Sequence, residues 1–300
     1  MQLGLKCKLC PRQCGVDRGR GVGFCGASDR LEVSAICLHA GEEPPLNPIV
    51  NVFFAHCNLQ CIYCQNRDIS SSAVNPAFVN YRTVDEVADR ICQLLPKSSG
   101  LLGFVTTAHY ANHLPAIVEA VRSRGFSPTV VYNSSGYESM ETLQSLEGVV
   151  DIYLPDFKYM EPQIAHDYSH AGDYPEVAAR AVLEMKRQVG AGLKCDENGV
   201  AFRGLIIRHL VLPGHTGNSL KVLEWIADNL PPFNVHVSLM AQFYPPRPDL
   251  PEPINRTLNE EEYRLVTDRY QELGFDGWLQ ELASEHNYRP DFTQKENPFV

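Results

Sequence analysis

From residue 49 onward the chain alternates short apolar runs with helical patterns, and that rhythm restricts the fold more than any other feature of the sequence. The runs are "IVNVFFA" (49–55), "GFVTT" (103–107), "TVVYN" (129–133), "VDIYLPD" (150–156), "GLIIRHLVL" (204–212) and "NVHVSLM" (234–240). Most are nearly unbroken apolar stretches, as strands covered on both faces require. Between them the period changes to that of helices. "TVDEVADRICQLL" offers Thr83 as an N-cap with Glu86 three residues on, a capping box, and sets Val84, Val87, Ile91 and Leu94 on one face. "YPEVAARAVLEMKRQVG" carries a stripe of Val177, Ala181, Met185 and Val189 and meets a glycine at its end. "SLKVLEWIADNL" runs into two prolines, and "NEEEYRLVTDRYQELG" runs from Asn259 to near Gly274. Strands alternating with helices predict parallel strands joined by crossovers, an α/β fold. Six strands predict a partial (β/α)6 TIM-like barrel, although a doubly wound open sheet has the same rhythm.

Three regions follow. Residues 1–48 form a small N-terminal Cys-rich metal-binding lobe containing "CKLCPRQCGVDRGRGVGFCG", the apolar run "LEVSAICL" and "GEEPPLNP". Residues 49–245 hold the barrel. Residues 246–300 supply a helix and a polar tail, expected as coil, that pack on it. No internal repeat interrupts this division.

Charge and cysteine content narrow the function classes. A formal net charge of −10 argues against a nucleic-acid partner bound by a broad basic surface. The local exception is Lys6, Lys8, Arg12, Arg18 and Arg20, which face only Asp17 and are expected as a solvated surface. No uncharged apolar stretch is long enough for a membrane span, and "MQLGLKCKLC" lacks the apolar segment of a signal peptide, so a cytoplasmic location is expected. In a reducing compartment, ten cysteines are poor disulfide candidates and better metal or catalytic candidates. Seven of them fall within 7–25 and 57–64; Cys37, Cys92 and Cys195 are expected as small buried apolar residues.

"CNLQCIYC" places Cys57, Cys61 and Cys64 at offsets of four and three. Structural zinc wants four ligands in a closed tetrahedron. A [4Fe-4S] cube held by three thiolates leaves one iron open to a substrate or cofactor. The loop follows the first expected strand at its C-terminal end, where barrel active sites are built. Cys7, Cys10, Cys14 and Cys25 provide four thiols from one Gly-rich segment, which suits a closed second metal site, zinc or Fe-S.

The CxxxCxxC spacing, with aromatic Tyr63 before the last cysteine, resembles the signature of radical S-adenosylmethionine (SAM) enzymes. "FFAHCNLQCIYCQN", "VVYNSSGY", "YLPDFKYM", "RGLIIRHLVLPGH" and "VSLMAQFYP" further resemble pyruvate formate-lyase activating enzymes, above all homologues with an N-terminal cysteine lobe. The resemblance covers most of residues 7–245. It implies a [4Fe-4S] cluster on Cys57, Cys61 and Cys64, SAM bound at the open iron, and reductive cleavage to a 5′-deoxyadenosyl radical that abstracts hydrogen. It implies a reductant such as flavodoxin or ferredoxin and, as substrate, a glycyl-radical enzyme or another protein. Radical SAM modification of RNA or a metabolite is an alternative. A non-catalytic module with two zinc sites is a third reading, of a different class.

The same resemblance assigns cofactor contacts. Tyr63 would touch the adenine, and Asp156 and Lys158 in "YLPDFKYM" would lie by the ribose. "TTAHY" stands where many relatives carry Gly-Gly-Glu for the SAM amine; here Thr106, with Thr107 and His109, would have to serve. Asn133 and Gln242 (with Tyr244) sit at strand mouths and are read as ligand-facing. Arg208 lies inside an apolar strand, so it needs a partner, expected to be the SAM carboxylate or Asp156. His209 points the other way and is expected to be structural. His39, Glu42 and Glu43, in "HAGEEPP", are expected in a solvated turn.

Overall fold

Strand order in the sheet follows chain order, and this separates the two architectures that the sequence left open. The computed structural model describes residues 6–190, 192–231, 235–286 and 289–299. Its strands are β1 (Val33–His39), β2 (Ile49–Phe54), β3 (Leu101–Val105), β4 (Thr129–Ser134), β5 (Ile152–Pro155), β6 (Lys194–Cys195), β7 (Ala201–Leu210), β8 (His236–Met240) and β9 (Asp276–Leu279). They run β1-β2-β3-β4-β5-β7-β8-β9, with β6 paired to β7 off this path. Every step from β2 to β9 is parallel. A doubly wound sheet reverses direction once; here each crossover advances the same way, as in a barrel.

The six expected strands are β2, β3, β4, β5, β7 and β8, shifted by a few residues at their ends. Two further strands lengthen the sheet. The run "LEVSAICL", assigned to the lobe, is antiparallel edge strand β1, with Ile36 opposite Val52. "DGWL" forms β9, parallel to β8, in the region expected to hold only helix and coil. Residues 1–5 of the expected lobe, Asn234 at the head of the sixth expected strand, and tail residues 287, 288 and 300 lie outside the described residues.

The helices are α1 (Arg67–Ser70), α2 (Val84–Leu94), α3 (Leu114–Ser123), α4 (Met140–Ser145), α5 (Pro162–Ser169), α6 (Tyr174–Val189), α7 (Thr216–Asn229) and α8 (Glu260–Glu272). The capping box of α2 is present in both directions: Thr83 accepts from the Glu86 amide at 3.2 Å, and Glu86 accepts from the Thr83 amide at 3.0 Å. Asn259 and Glu262 repeat it at α8.

Strand alternation sorts the core into two layers. Val50, Val52 and Phe54 join the large apolar cluster shared with the helices. The intervening Ile49 joins Leu46, Leu101, Val131, Ile152 and Ile206 in a separate cluster inside the barrel. Leu46 belongs to the β1–β2 connection, so this loop is drawn into the interior. Gly103 makes room there: a Cβ would meet the Asn51 Oδ1 at 2.0 Å. The tail packs Phe292 and Phe299 against Phe53 of β2, with ring centroids 5.8 and 5.4 Å apart. Cys37 is buried, but Cys92 is only half-buried and Cys195 is exposed, because two-residue β6 is an outer ribbon without a covering layer.

Candidate active site

Beyond β2 the chain turns sharply, and two residues in left-handed conformation, His56 (φ 71°) and Gln60 (φ 55°), bring the three thiols of 57–64 to the C-terminal rim of the sheet. His56 braces the turn from within: its imidazole is bonded to the Glu32 carboxylate at 2.8 Å and to the Ser71 carbonyl at 3.1 Å.

Each sulfur has a hydrogen-bond donor. The Leu59 amide donates to Cys57 at 3.3 Å, the Ser169 hydroxyl to Cys61 at 3.0 Å, and the Ser70 hydroxyl to Cys64 at 3.2 Å. Burial pushes the Cys57 thiol up to about 11 and the Cys61 thiol up to about 12, while the Lys158 ammonium pulls both down. Burial also opposes the charge of Lys158, but its ion pair with Asp156 prevails and leaves its pKa raised. Three sulfurs that accept hydrogen bonds, two of them beside a fixed cation, suit metal-bound thiolates. No group of three or more His, Cys, Asp or Glu among the described residues is placed to hold one metal ion. A cubane cluster does not ask for that, since each thiolate binds its own iron, and the trio therefore fits such a group.

Tyr63 is 5% exposed and packs edge-on against Tyr168 and Phe243. Its hydroxyl lies 2.5 Å from that of Tyr159, which bonds Ser169 at 2.7 Å, so a buried hydroxyl chain leads from Tyr63 to the Cys61 sulfur. In "TTAHY", His109 turns inward and bonds the Ala55 carbonyl at 2.8 Å; burial brings its pKa down to about 3, leaving it neutral. His209 is neutral too, with burial lowering its pKa to about 4. It bridges the Phe157 carbonyl and the Ser219 hydroxyl, a structural place.

A cavity of about 400 Å³ opens beside the loop, and its lining includes Gln65, Asn133, Arg208 and Gln242. Three of the expected contact residues, Asn133, Arg208 and Gln242, thus meet at one place. Asp156, Lys158, Tyr63 and Thr106 are not part of that wall. Gln242 accepts from the Gln280 amide at 2.8 Å, and Tyr244 stacks under Arg289 with the guanidinium 4.4 Å from the ring centre.

Three expectations are corrected. Arg208 does not pair with Asp156, which is held by Lys158: it donates to Glu43 at 2.8 and 2.6 Å and also to Glu42. Glu42 and Glu43 are accordingly no solvated turn, with side chains 7% and 5% exposed. A buried guanidinium and buried carboxylates need one another, and the inward course of the β1–β2 connection is what joins them. The basic residues near the N-terminus are likewise not all surface. Arg12 donates to the Asn58 and Ser169 carbonyls, both at 3.0 Å, and to that of His170. Arg18 is buried and donates to the His109 carbonyl at 2.7 Å.

Arg12 also lies over the Phe24 and Tyr137 rings, at 4.0 and 5.1 Å, so it fastens the 7–25 segment to the cysteine loop. In that segment Cys10 and Cys25 are buried, Cys7 is half-buried and Cys14 exposed. Cys14 lies over Gly23, where a Cβ would come 2.5 Å from its sulfur. Sequence reasoning missed Arg12, Ser70 and Ser169 as partners of the loop. No spacing signal marks them, since Ser169 is 108 residues from Cys61.

No family model matches the sequence. An uncharacterized protein of Methanocaldococcus jannaschii, MJ0674, is 31% identical over 275 residues, covering 90% of this chain and 75% of its own length. A domain of a pyruvate-formate lyase-activating enzyme from Bacteroides vulgatus aligns with 57% of this chain and 92% of its own, at 12% identity and a TM-score of 0.41. A radical SAM methyltransferase from Sphaerobacter thermophilus aligns with 77% of this chain and 66% of its own, at 9% identity and a TM-score of 0.46. Among the described residues no helix is long and apolar enough to cross a membrane.

Proposed function

The chain belongs to the family of the Methanocaldococcus jannaschii protein, and we propose that it is a radical SAM enzyme. The observation that carries this reading is the trio Cys57, Cys61 and Cys64 at the rim of β2, each sulfur with its own donor and Lys158 beside two of them. These thiols would hold a [4Fe-4S] cluster. When bound, that cluster supplies the electron that splits SAM into methionine and a 5′-deoxyadenosyl radical.

The chain's own residues do the remaining work. Donors to the three sulfurs spread their negative charge and favour the reduced state. Lys158, locked by Asp156, adds a fixed positive charge that needs no rearrangement during the reaction. The Tyr63, Tyr159 and Ser169 hydroxyls bond one another in a chain that ends on Cys61 and fixes the donor to its sulfur.

The finer assignment follows from the sequence likeness to activating enzymes: hydrogen would be taken from a glycine Cα of a partner protein, with a flavodoxin or ferredoxin as electron donor. The test of the general reading is anaerobic reconstitution followed by dithionite and SAM. Release of 5′-deoxyadenosine by the wild type and its loss in Cys61→Ala support it; a protein loaded with iron and sulfide that releases none overturns it.

A further inference from the structure

The cavity beside the cysteine loop contains an ion cluster that radical generation leaves unexplained. Glu42 and Glu43 share the single guanidinium of Arg208. His39, 3.9 Å from Glu42, adds no compensating charge, because burial holds its pKa below the ordinary value. Arg208 is the only Lys or Arg among the described residues lining this cavity. Two buried carboxylates against one cation leave one negative charge unbalanced, and such a charge is costly away from water unless a cation meets it.

A second observation, independent of the acids, also points to a ligand. Ser238 of β8 is 3% exposed and lines the same cavity, yet its hydroxyl has no hydrogen-bond partner among the described residues. Strand register places it between Arg208 of β7 and Trp278 of β9. The Asn133 side chain, in the same lining, also has no hydrogen-bond partner among the described residues. Phe53 and Trp278 also belong to the wall.

We propose that this cavity anchors the substrate by a cationic nitrogen, an amine or a guanidinium. Glu42 and Glu43 accept from it, and Ser238 and Asn133 bond its neighbouring polar atoms. The proposal depends on the radical SAM reading for the reaction that follows binding, but not for binding itself. The cation belongs either to a free small molecule or to a lysine or arginine side chain of a protein.

Calorimetric titration of the anaerobically reconstituted protein, without reductant, separates the possibilities. The probes are agmatine, putrescine, the blocked peptide acetyl-Gly-Arg-Gly-amide and its citrulline counterpart. Binding of agmatine or putrescine assigns a small molecule, and binding of the arginine peptide alone assigns a side chain. In either case the neutral citrulline peptide should fail to bind. Glu43→Gln should weaken the cationic probe by roughly tenfold or more, and Ser238→Ala, which leaves the ion cluster intact, by about threefold to tenfold. The proposal is overturned if cationic and neutral probes bind alike, or if neither variant changes affinity. It is also overturned if Glu43→Gln removes SAM binding instead, since the cation would then be SAM's own. Cation binding by a wild type that releases no 5′-deoxyadenosine would overturn the radical reading and leave this site standing.

Discussion

The hydroxyl of Ser169, the last residue of α5, donates to the sulfur of Cys61 at 3.0 Å and shares a hydrogen bond with Tyr159. A helix far along the chain therefore sets the electrostatics of the cysteine loop. Ser169→Ala removes one of the donors that stabilise the reduced form of a cluster bound there. The reduction potential should fall, on the order of tens of millivolts, in a redox titration followed by electron paramagnetic resonance. Iron content should stay at the wild-type level, because all three thiols remain.

Arg12 supports a second prediction. Its guanidinium bonds the carbonyls of Asn58, Ser169 and His170 and stacks on two rings, tying the 7–25 segment to the loop. Arg12→Met keeps much of the apolar stem and leaves these carbonyls without their donor. Stability should drop by about 2–3 kcal/mol in denaturant titration, since hydrogen bonds to charged groups are individually strong. Proteolysis should then cut first within 7–25. A variant as stable as wild type would show that the three bonds are redundant.

What the sequence revealed, and what it hid, divides along one physical line. Period, caps and the CxxxCxxC spacing are local signals, and they located β2, β3, β4, β5, β7 and β8, helix α2 with its Thr83 cap, and the three thiols. Strand β9 was missed because "DGWL" is short and carries a glycine and an aspartate, and it becomes a strand by pairing with β8. Strand β1 was seen as an apolar run but misplaced, since edge pairing is a tertiary event. The Arg208 cluster was hidden for the same reason. A buried arginine announces the need for an acid but does not say which one, and Asp156 was nearer in expectation than Glu42 and Glu43, more than 160 positions away.

Gly103 supplies a third prediction. It pairs with Asn51 across β2 and β3, and the Asn51 amide donates to Glu42 at 2.7 Å. In Gly103→Ala the new methyl would stand 2.0 Å from the Asn51 oxygen, so Asn51 must swing away and Glu42 must lose that donor. The expected cost is about 1–3 kcal/mol, the range for overpacking a closed interior. Gly103→Ala combined with Asn51→Ala should recover part of the loss; thermal unfolding of the two variants side by side provides the check.

The pH dependence of Arg208→Gln is the most discriminating outcome for the buried ion cluster. In the native protein burial opposes the charge of Glu42, but Arg208 outweighs it and holds the carboxyl below its ordinary value. A carboxyl with a lowered folded pKa contributes stability above its unfolded value, and that contribution is lost as pH falls through the folded one. Without the guanidinium, the burial that remains raises the carboxyl instead, and the sign reverses. The variant should lose about 3–5 kcal/mol near neutrality, the range for breaking a buried pair by removing one partner. Acidification then protonates Glu42 at little cost, so the gap between variant and wild type should narrow steadily from pH 7 toward pH 5. Urea titrations at several pH values measure that gap. A gap that stays constant, or widens in acid, would mean that the carboxylates find another cation when Arg208 is gone.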